Sequence, residues 1–140
     1  LDIARAAVTL SYYVYRPDPF GKTSEVDVVT CVNRNASKYN PELRTEAVLE
    51  REQIHFDIME LHARKMRRAV EEAGLPVLGA NRKAEKLFTP IYKDAEKMCA
   101  RFDTETDEGA NAIARAKWET TLRRELNELG NYARQIPPEE

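Results

Sequence analysis

Glycine, cysteine and histidine are all scarce in this 140-residue chain, which has five, two and two of them. So few glycines, none of them clustered, leave no phosphate-cradling loop of the P-loop or dinucleotide type. Neither Cys31 nor Cys99 stands in a C-x-x-C motif or beside a histidine, which excludes a thiol redox motif. The pair stays open to two readings, a disulfide formed in an oxidising compartment or two buried free thiols. Ser11, Ser24 and Ser37 lie outside any nucleophile-elbow sequence. No apolar run approaches the roughly 20 residues of a membrane-crossing helix. Charge of one sign is also missing: 22 basic residues face 24 acidic ones, a net charge of −2, so no global field draws the chain to nucleic acid or anionic lipid. The chain opens at Leu1 without a basic-then-apolar leader, which fits a processed or trimmed protein and leaves the compartment unread at the terminus.

What is present suits one globular domain over 1–140. Hydrophobic residues make up 42% and charged residues 33%, and the length matches a single domain of about 100 to 200 residues. Residues 6–15 and 26–32 are rich in β-branched and aromatic side chains and flank the turn-forming stretch Arg16-Pro17-Asp18-Pro19-Phe20-Gly21, which predicts two antiparallel strands. Alternation puts Val8, Leu10, Tyr12 and Val14 on one face of the first strand and Thr9, Ser11, Tyr13 and Tyr15 on the other. Tyrosines in a strand suit packing better than a ligand cleft. Helices are expected over about 43–73, 84–101 and 110–133. The first opens at Asn40-Pro41-Glu42, with Thr45 as a second start, and closes at Gly74 before Pro76. In the second, Thr89-Pro90 predicts a kink or restart. Residues 103–109 (DTETDEG) read as an acidic loop and the QIPPEE end as a frayed tail. Strands first and helices after make an α+β domain, with a small antiparallel sheet packed against one long helix and two further ones.

The first helix is the informative segment. At about 100° per residue, Val48, Ile58, Met59, Ala63, Met66, Ala69, Val70 and Ala73 form an apolar stripe. Glu50, Gln53, Asp57, Glu60, Arg64, Arg67 and Glu71 take the opposite face, read as solvated along with the run Arg64 to Arg68. Arg51, Glu52, His55 and His62 fall inside the stripe, where an unpaired polar group costs several kcal/mol, roughly. They need partners. One reading is a purely structural cluster, because Arg51 and His55 are four apart and Glu52 and His55 three apart. The other is a functional site.

Residues 51 to 55 read R-E-Q-I-H, one substitution from H-E-x-x-H, in which two histidines one turn apart bind zinc and the glutamate activates a water. The stretch Arg51-Glu52-Gln53-Ile54-His55-Phe56-Asp57-Ile58, with Glu60, Ala63-Arg64 and Arg67 beyond it, resembles the H-E-Q-x-H-F-D-I signature of a bacterial family catalogued as domain of unknown function 922. A second block, Phe102 to Gly109 (FDTETDEG) with Trp118 downstream, resembles that family's Y-D-x-E-T-x-H-G stretch and its later tryptophan. The two blocks cover residues 48–68 and 102–118, and the family's W-x-D-F segment is not in this chain.

The resemblance implies a zincin-like fold, a secreted or periplasmic location and descent from zinc-dependent peptidases. It also implies that the zinc site is lost. Arg51 stands at the first ligand histidine and Glu108 at the candidate third one, leaving His55 as a ligand and Glu52 as a vestigial general base. Arginine is not deprotonated in proteins and so cannot ligate zinc. The expectation is an ion pair between Arg51 and Glu108 in the place of the metal, with no cofactor and with Glu105, Asp107 and His62 as secondary site residues. The chain would then be a pseudoenzyme that binds an unknown protein or peptide. The alternative is a metal-dependent hydrolase with a changed site of Glu52, His55 and Glu108 holding zinc. A di-iron carboxylate site built on the E-x-x-H pair lacks a second such motif. His62 lies about 10 Å along the axis from His55, too far to share an ion. A structural subdomain of a longer protein is the third reading.

Overall fold

A computed structural model describes residues 5–38 and 45–135. The helix start expected at Asn40-Pro41-Glu42 and most of the frayed tail lie outside these residues. The chain forms β1 (Arg5–Tyr15), β2 (Thr23–Lys38), α1 (Glu46–Ala73), β3 (Leu75–Pro76), α2 (Ala80–Glu105), α3 (Ala112–Glu128) and a short 3-10 turn, Gly130–Tyr132. The fold is α+β: an antiparallel sheet in the order β1-β2-β3 packed against three helices.

The hairpin is set by its turn and its alternation. Asp18 accepts the Phe20 and Gly21 backbone N–H groups, on Oδ1 and on its carbonyl, each at 2.9 Å, while the Arg16 guanidinium donates to Pro19 O at 2.7 Å. Tyr15 is thereby set opposite Glu25, and Leu10 opposite Thr30. Val8, Leu10, Tyr12 and Val14 face the core, as the period of two requires. The strand β3 carries no signal of its own. Its two residues pair with Thr23 and Ser24, which starts β2 earlier than residue 26.

Thr45 caps α1, its hydroxyl accepting Val48 N–H at 3.2 Å, and Gly74 ends it with a positive φ of 69°. Helix α2 runs through Pro90 without a restart. Pro90 and Lys86 are both exposed residues, and the proline removes the helical donor of the Lys86 carbonyl. The expected acidic loop is helical over its first three residues, because α2 continues to Glu105, and the rest of it, from Thr106 to Gly109, is a turn.

Two hydrophobic clusters make the core, and α1 belongs to both. Leu10 and Val28 of the sheet pack with Met59, Ala63, Met66 and Val70 of α1 and Ala84 and Ala95 of α2. Ile54, Ile58 and Leu61 of α1 pack with Phe102 of α2, Trp118 and Leu122 of α3 and Leu129. A helix enclosed on two sides has no single wet face, which corrects the sequence reading of Glu60, Arg64 and Arg67. Glu60 accepts from Thr30 Oγ1 at 2.9 Å, Arg67 Nη1 at 3.1 Å and Arg64 Nε at 3.2 Å. Arg67 also donates to Val28 O at 2.6 Å and Tyr132 O at 2.8 Å, and Arg64 to Leu126 O. These cations join α1 to β2 and to the C-terminal segment. Among the described residues no helix is long and apolar enough to cross a membrane. Cys31 and Cys99 are both free thiols, and burial, reinforced by the Asp103 and Glu52 charges, pushes Cys99 up to about 12.

Candidate functional site

The first turns of α1 carry Arg51, Glu52 and His55 along one side, and the last turn of α2 brings Asp103 against them. Arg51 is 4% exposed. Its Nε and Nη2 each lie 3.1 Å from Asp103 Oδ1, and its Nη1 donates to Glu52 Oε1 at 3.1 Å. The same Asp103 oxygen lies 2.9 Å from His55 Nε2. His55 Nδ1 faces the other Glu52 oxygen, Oε2, at 3.8 Å, beyond hydrogen-bond reach. Glu52 Oε2 is buried without a hydrogen-bond partner. The His55 and Phe102 rings pack edge-to-face with centroids 5.5 Å apart, and so do those of Phe102 and Trp118.

The turn after α2 is shaped to cover the arginine. Thr106 Oγ1 donates to Phe102 O at 2.6 Å and accepts Gly109 N–H at 2.9 Å. Asp107 and Glu108 both adopt left-handed backbone, with φ of 50° and 53°, and Gly109 follows at 86°. A side chain at Gly109 would crowd the arginine, with a Cβ 3.0 Å from Arg51 Cβ and 3.2 Å from its Cγ, and the φ of 86° itself favours glycine. Arg115 of α3 donates to the Gly109 carbonyl and pairs with Glu50 Oε2 at 2.6 Å, tying the turn to α1.

The expected ion pair is therefore corrected in its acidic partner. The carboxylates that hold Arg51 are those of Asp103 and Glu52, not that of Glu108. Continuation of α2 to Glu105 sets Asp103 on the side facing α1, whereas Glu108 is an exposed turn residue whose N–H bonds Asp103 O at 2.7 Å. Glu105 accepts the Trp118 indole N–H at 2.8 Å and Asp107 is exposed in the turn. Neither reaches the Arg51 cluster in the contacts described. His62 is a core residue: its Nδ1 sits 2.7 Å from Ile58 O, and burial lowers its affinity for a proton. The sequence reading missed Asp103, Glu50, Arg115 and Gly109. Asp103 had a signal, because it is the first acid of the second family-like block and two buried bases on α1 required one.

Zinc does not fit this arrangement. A guanidinium fills the space between Glu52 and Asp103, and among the described residues no three His, Cys, Asp or Glu side chains gather as an ion would need.

A separate cleft of about 520 Å³ lies between the sheet, α1 and the C-terminal segment. Tyr13 and Tyr15, expected to be packing residues, line it with rings stacked at 5.8 Å, together with Arg67, Tyr132 and Arg134. Arg134 grips Asp27 through two bonds of 3.1 Å, and this guanidinium pulls the Asp27 carboxyl below its ordinary value. Tyr12 points the other way, onto Phe88 at 4.7 Å.

No protein-family model matches this chain, and no curated protein or solved structure shows significant similarity to it.

Proposed function

We propose that the chain is a catalytically degenerate relative of zinc-peptidase-like domains, secreted or periplasmic by the resemblance of its two motif blocks, and that it now binds a protein or peptide partner instead of cutting one. The observation that supports this reading is the Arg51 guanidinium, buried and shared by Glu52 and Asp103 at the point where the motif would hold its first ligand. A fixed cation supplies the positive charge that an ion would otherwise bring, and it leaves no open position for a metal-bound water. The tyrosine-lined cleft is the surface best suited to a peptide, with stacked rings for apolar contact and Arg134 and Asp27 for polar contact.

Protein purified without chelator is expected to hold no stoichiometric zinc, to melt at the same temperature with and without EDTA and to leave casein and unfolded peptides uncut. Chelator-sensitive cleavage would reverse the reading. It would favour the hydrolase alternative built on Glu52, His55 and Glu108, which needs Glu108 drawn in from its exposed place on the turn.

A further inference from the structure

Two of the most exposed large apolar side chains of the described residues stand at one end of the molecule. Phe20 is 95% exposed and Leu78 is 88% exposed. Phe20 belongs to the loop between β1 and β2, and Leu78 to the turn between β3 and α2. Because β2 and β3 pair antiparallel with Thr23 opposite Pro76, the residues just before Thr23 and just after Pro76 project past the same end of the sheet. Single exposed apolar residues are ordinary, whereas two brought together on adjoining loops call for a reason.

The Phe20 loop is held rigid. Asp18 accepts from both Phe20 N and Gly21 N, and the Arg16 guanidinium donates to Pro19 O and, at 3.1 Å, to Gly21 O. A side chain presented in this way loses little freedom on docking. Charge at this end also differs from the chain as a whole. Residues 16–22 and 77–83 contain Arg16, Lys22, Arg82 and Lys83 against the single acid Asp18, whose carboxylate is turned into its own loop, while the whole chain is net negative. Lys83 reaches back to the end of α1, where Glu71 and Glu72 stand, and donates to Ala73 O at 3.0 Å.

We propose that this end docks reversibly on an anionic phospholipid surface, with Phe20 and Leu78 entering the acyl boundary and Lys22 and Arg82 lying at headgroup level. Separate apolar points ringed by cations suit a fluid surface that needs no complementary shape, and two side chains give weak, reversible attachment. A protein pocket would instead be expected to enclose one continuous apolar patch. The proposal is independent of the reading of the Arg51 site.

Co-sedimentation with vesicles tests it. The chain should pellet with phosphatidylcholine vesicles containing phosphatidylglycerol, less with phosphatidylcholine alone, and less again at high salt. Replacing Phe20 and Leu78 together by serine should lower vesicle affinity about tenfold or more, and exchanging Lys22 and Arg82 for glutamate should abolish the preference for anionic lipid. Both variants alter exposed side chains, so unchanged circular dichroism and melting are expected. Failure of the unaltered chain to pellet with anionic vesicles would overturn the proposal, as it would if a protein partner uses this end. Undiminished binding by the F20S/L78S variant would overturn it too.

Discussion

Two arginine clusters sit on α1, and they differ in how completely their polar atoms are satisfied. Around Arg67 and Arg64, Glu60 accepts from three side chains, and the guanidinium groups go on to backbone carbonyls of Val28, Leu126 and Tyr132. Around Arg51 the partners are carboxylates, one oxygen of Asp103 serves both Arg51 and His55, and Glu52 Oε2 has no donor. A network that only holds elements together is expected to be fully paired, because an orphaned buried oxygen costs about 1 to 3 kcal/mol. The first cluster meets that standard. The second does not, since Glu52 Oε2 is left without a donor.

The contrast can be broken most sharply by truncation. Arg67→Ala should cost about 3 to 5 kcal/mol, because it leaves Glu60 and two carbonyls with missing donors. Arg51→Ala should cost less, about 2 to 3 kcal/mol, because Asp103 is partly exposed and keeps His55, while Glu52 loses its one hydrogen bond. Urea midpoints measure both, and equal costs would erase the distinction. Next comes the metal: Arg51→His sets two imidazoles one turn apart beside Asp103, and the variant should take up zinc. A hundredfold excess of zinc over Kd would then stabilise it by about 2.7 kcal/mol. A folded variant whose melting temperature ignores zinc would show that His55 and Asp103 do not converge on an ion.

A matched pair of smaller changes sharpens the comparison further. Glu60→Gln should cost about 2 kcal/mol and Glu52→Gln should stay within about 1 kcal/mol of neutral, because only the first removes a fully used acceptor. Acid should narrow the gap. Burial pushes the Glu60 carboxyl up, but donation by Arg67, Thr30 and Arg64 outweighs it and the net shift is downward. Glu60 therefore contributes stability above its ordinary value of 4.5, and this is lost as pH falls through the lowered folded value. Asp57, between the clusters, behaves oppositely. Burial raises its carboxyl, with Glu60 adding to the effect and Gln53 and Arg64 opposing it. The folded state then holds the proton more tightly than the unfolded chain, so stability declines as pH climbs from 3.8 through the raised folded value. Asp57→Asn should be slightly stabilising at neutral pH and without effect in strong acid, as denaturation at the two pH values would measure.

Much of the sheet and the helices was legible in the sequence, because local rules govern them. Val8, Leu10, Tyr12 and Val14 share a face by the pleat alone, and Gly74 stops α1 by its backbone freedom. What escaped depends on tertiary partners. Leu75 and Pro76 become a strand only because Thr23 and Ser24 lie beside them. Ile54 and Leu61 fall outside a single stripe because α1 is packed on two sides, and for the same reason Arg64 and Arg67 look solvated until β2 and the C-terminal segment are in place. At the site, Arg51, Glu52 and His55 were singled out by charge on an apolar stripe. Asp103 is marked only by its place as first acid of the second block, since the family-like motif points to Glu108 and the end of α2 falls later than the acidic run suggests.

The sharing of α1 by both hydrophobic clusters has a consequence for unfolding. Melting of either cluster would strip the other of the wall they share, and Cys99 packs against both. The domain should come apart in one cooperative step, with calorimetric and van't Hoff enthalpies in agreement. Damage at the hairpin or at the α2–α3 turn would then be felt as a loss of the whole molecule and not of one half.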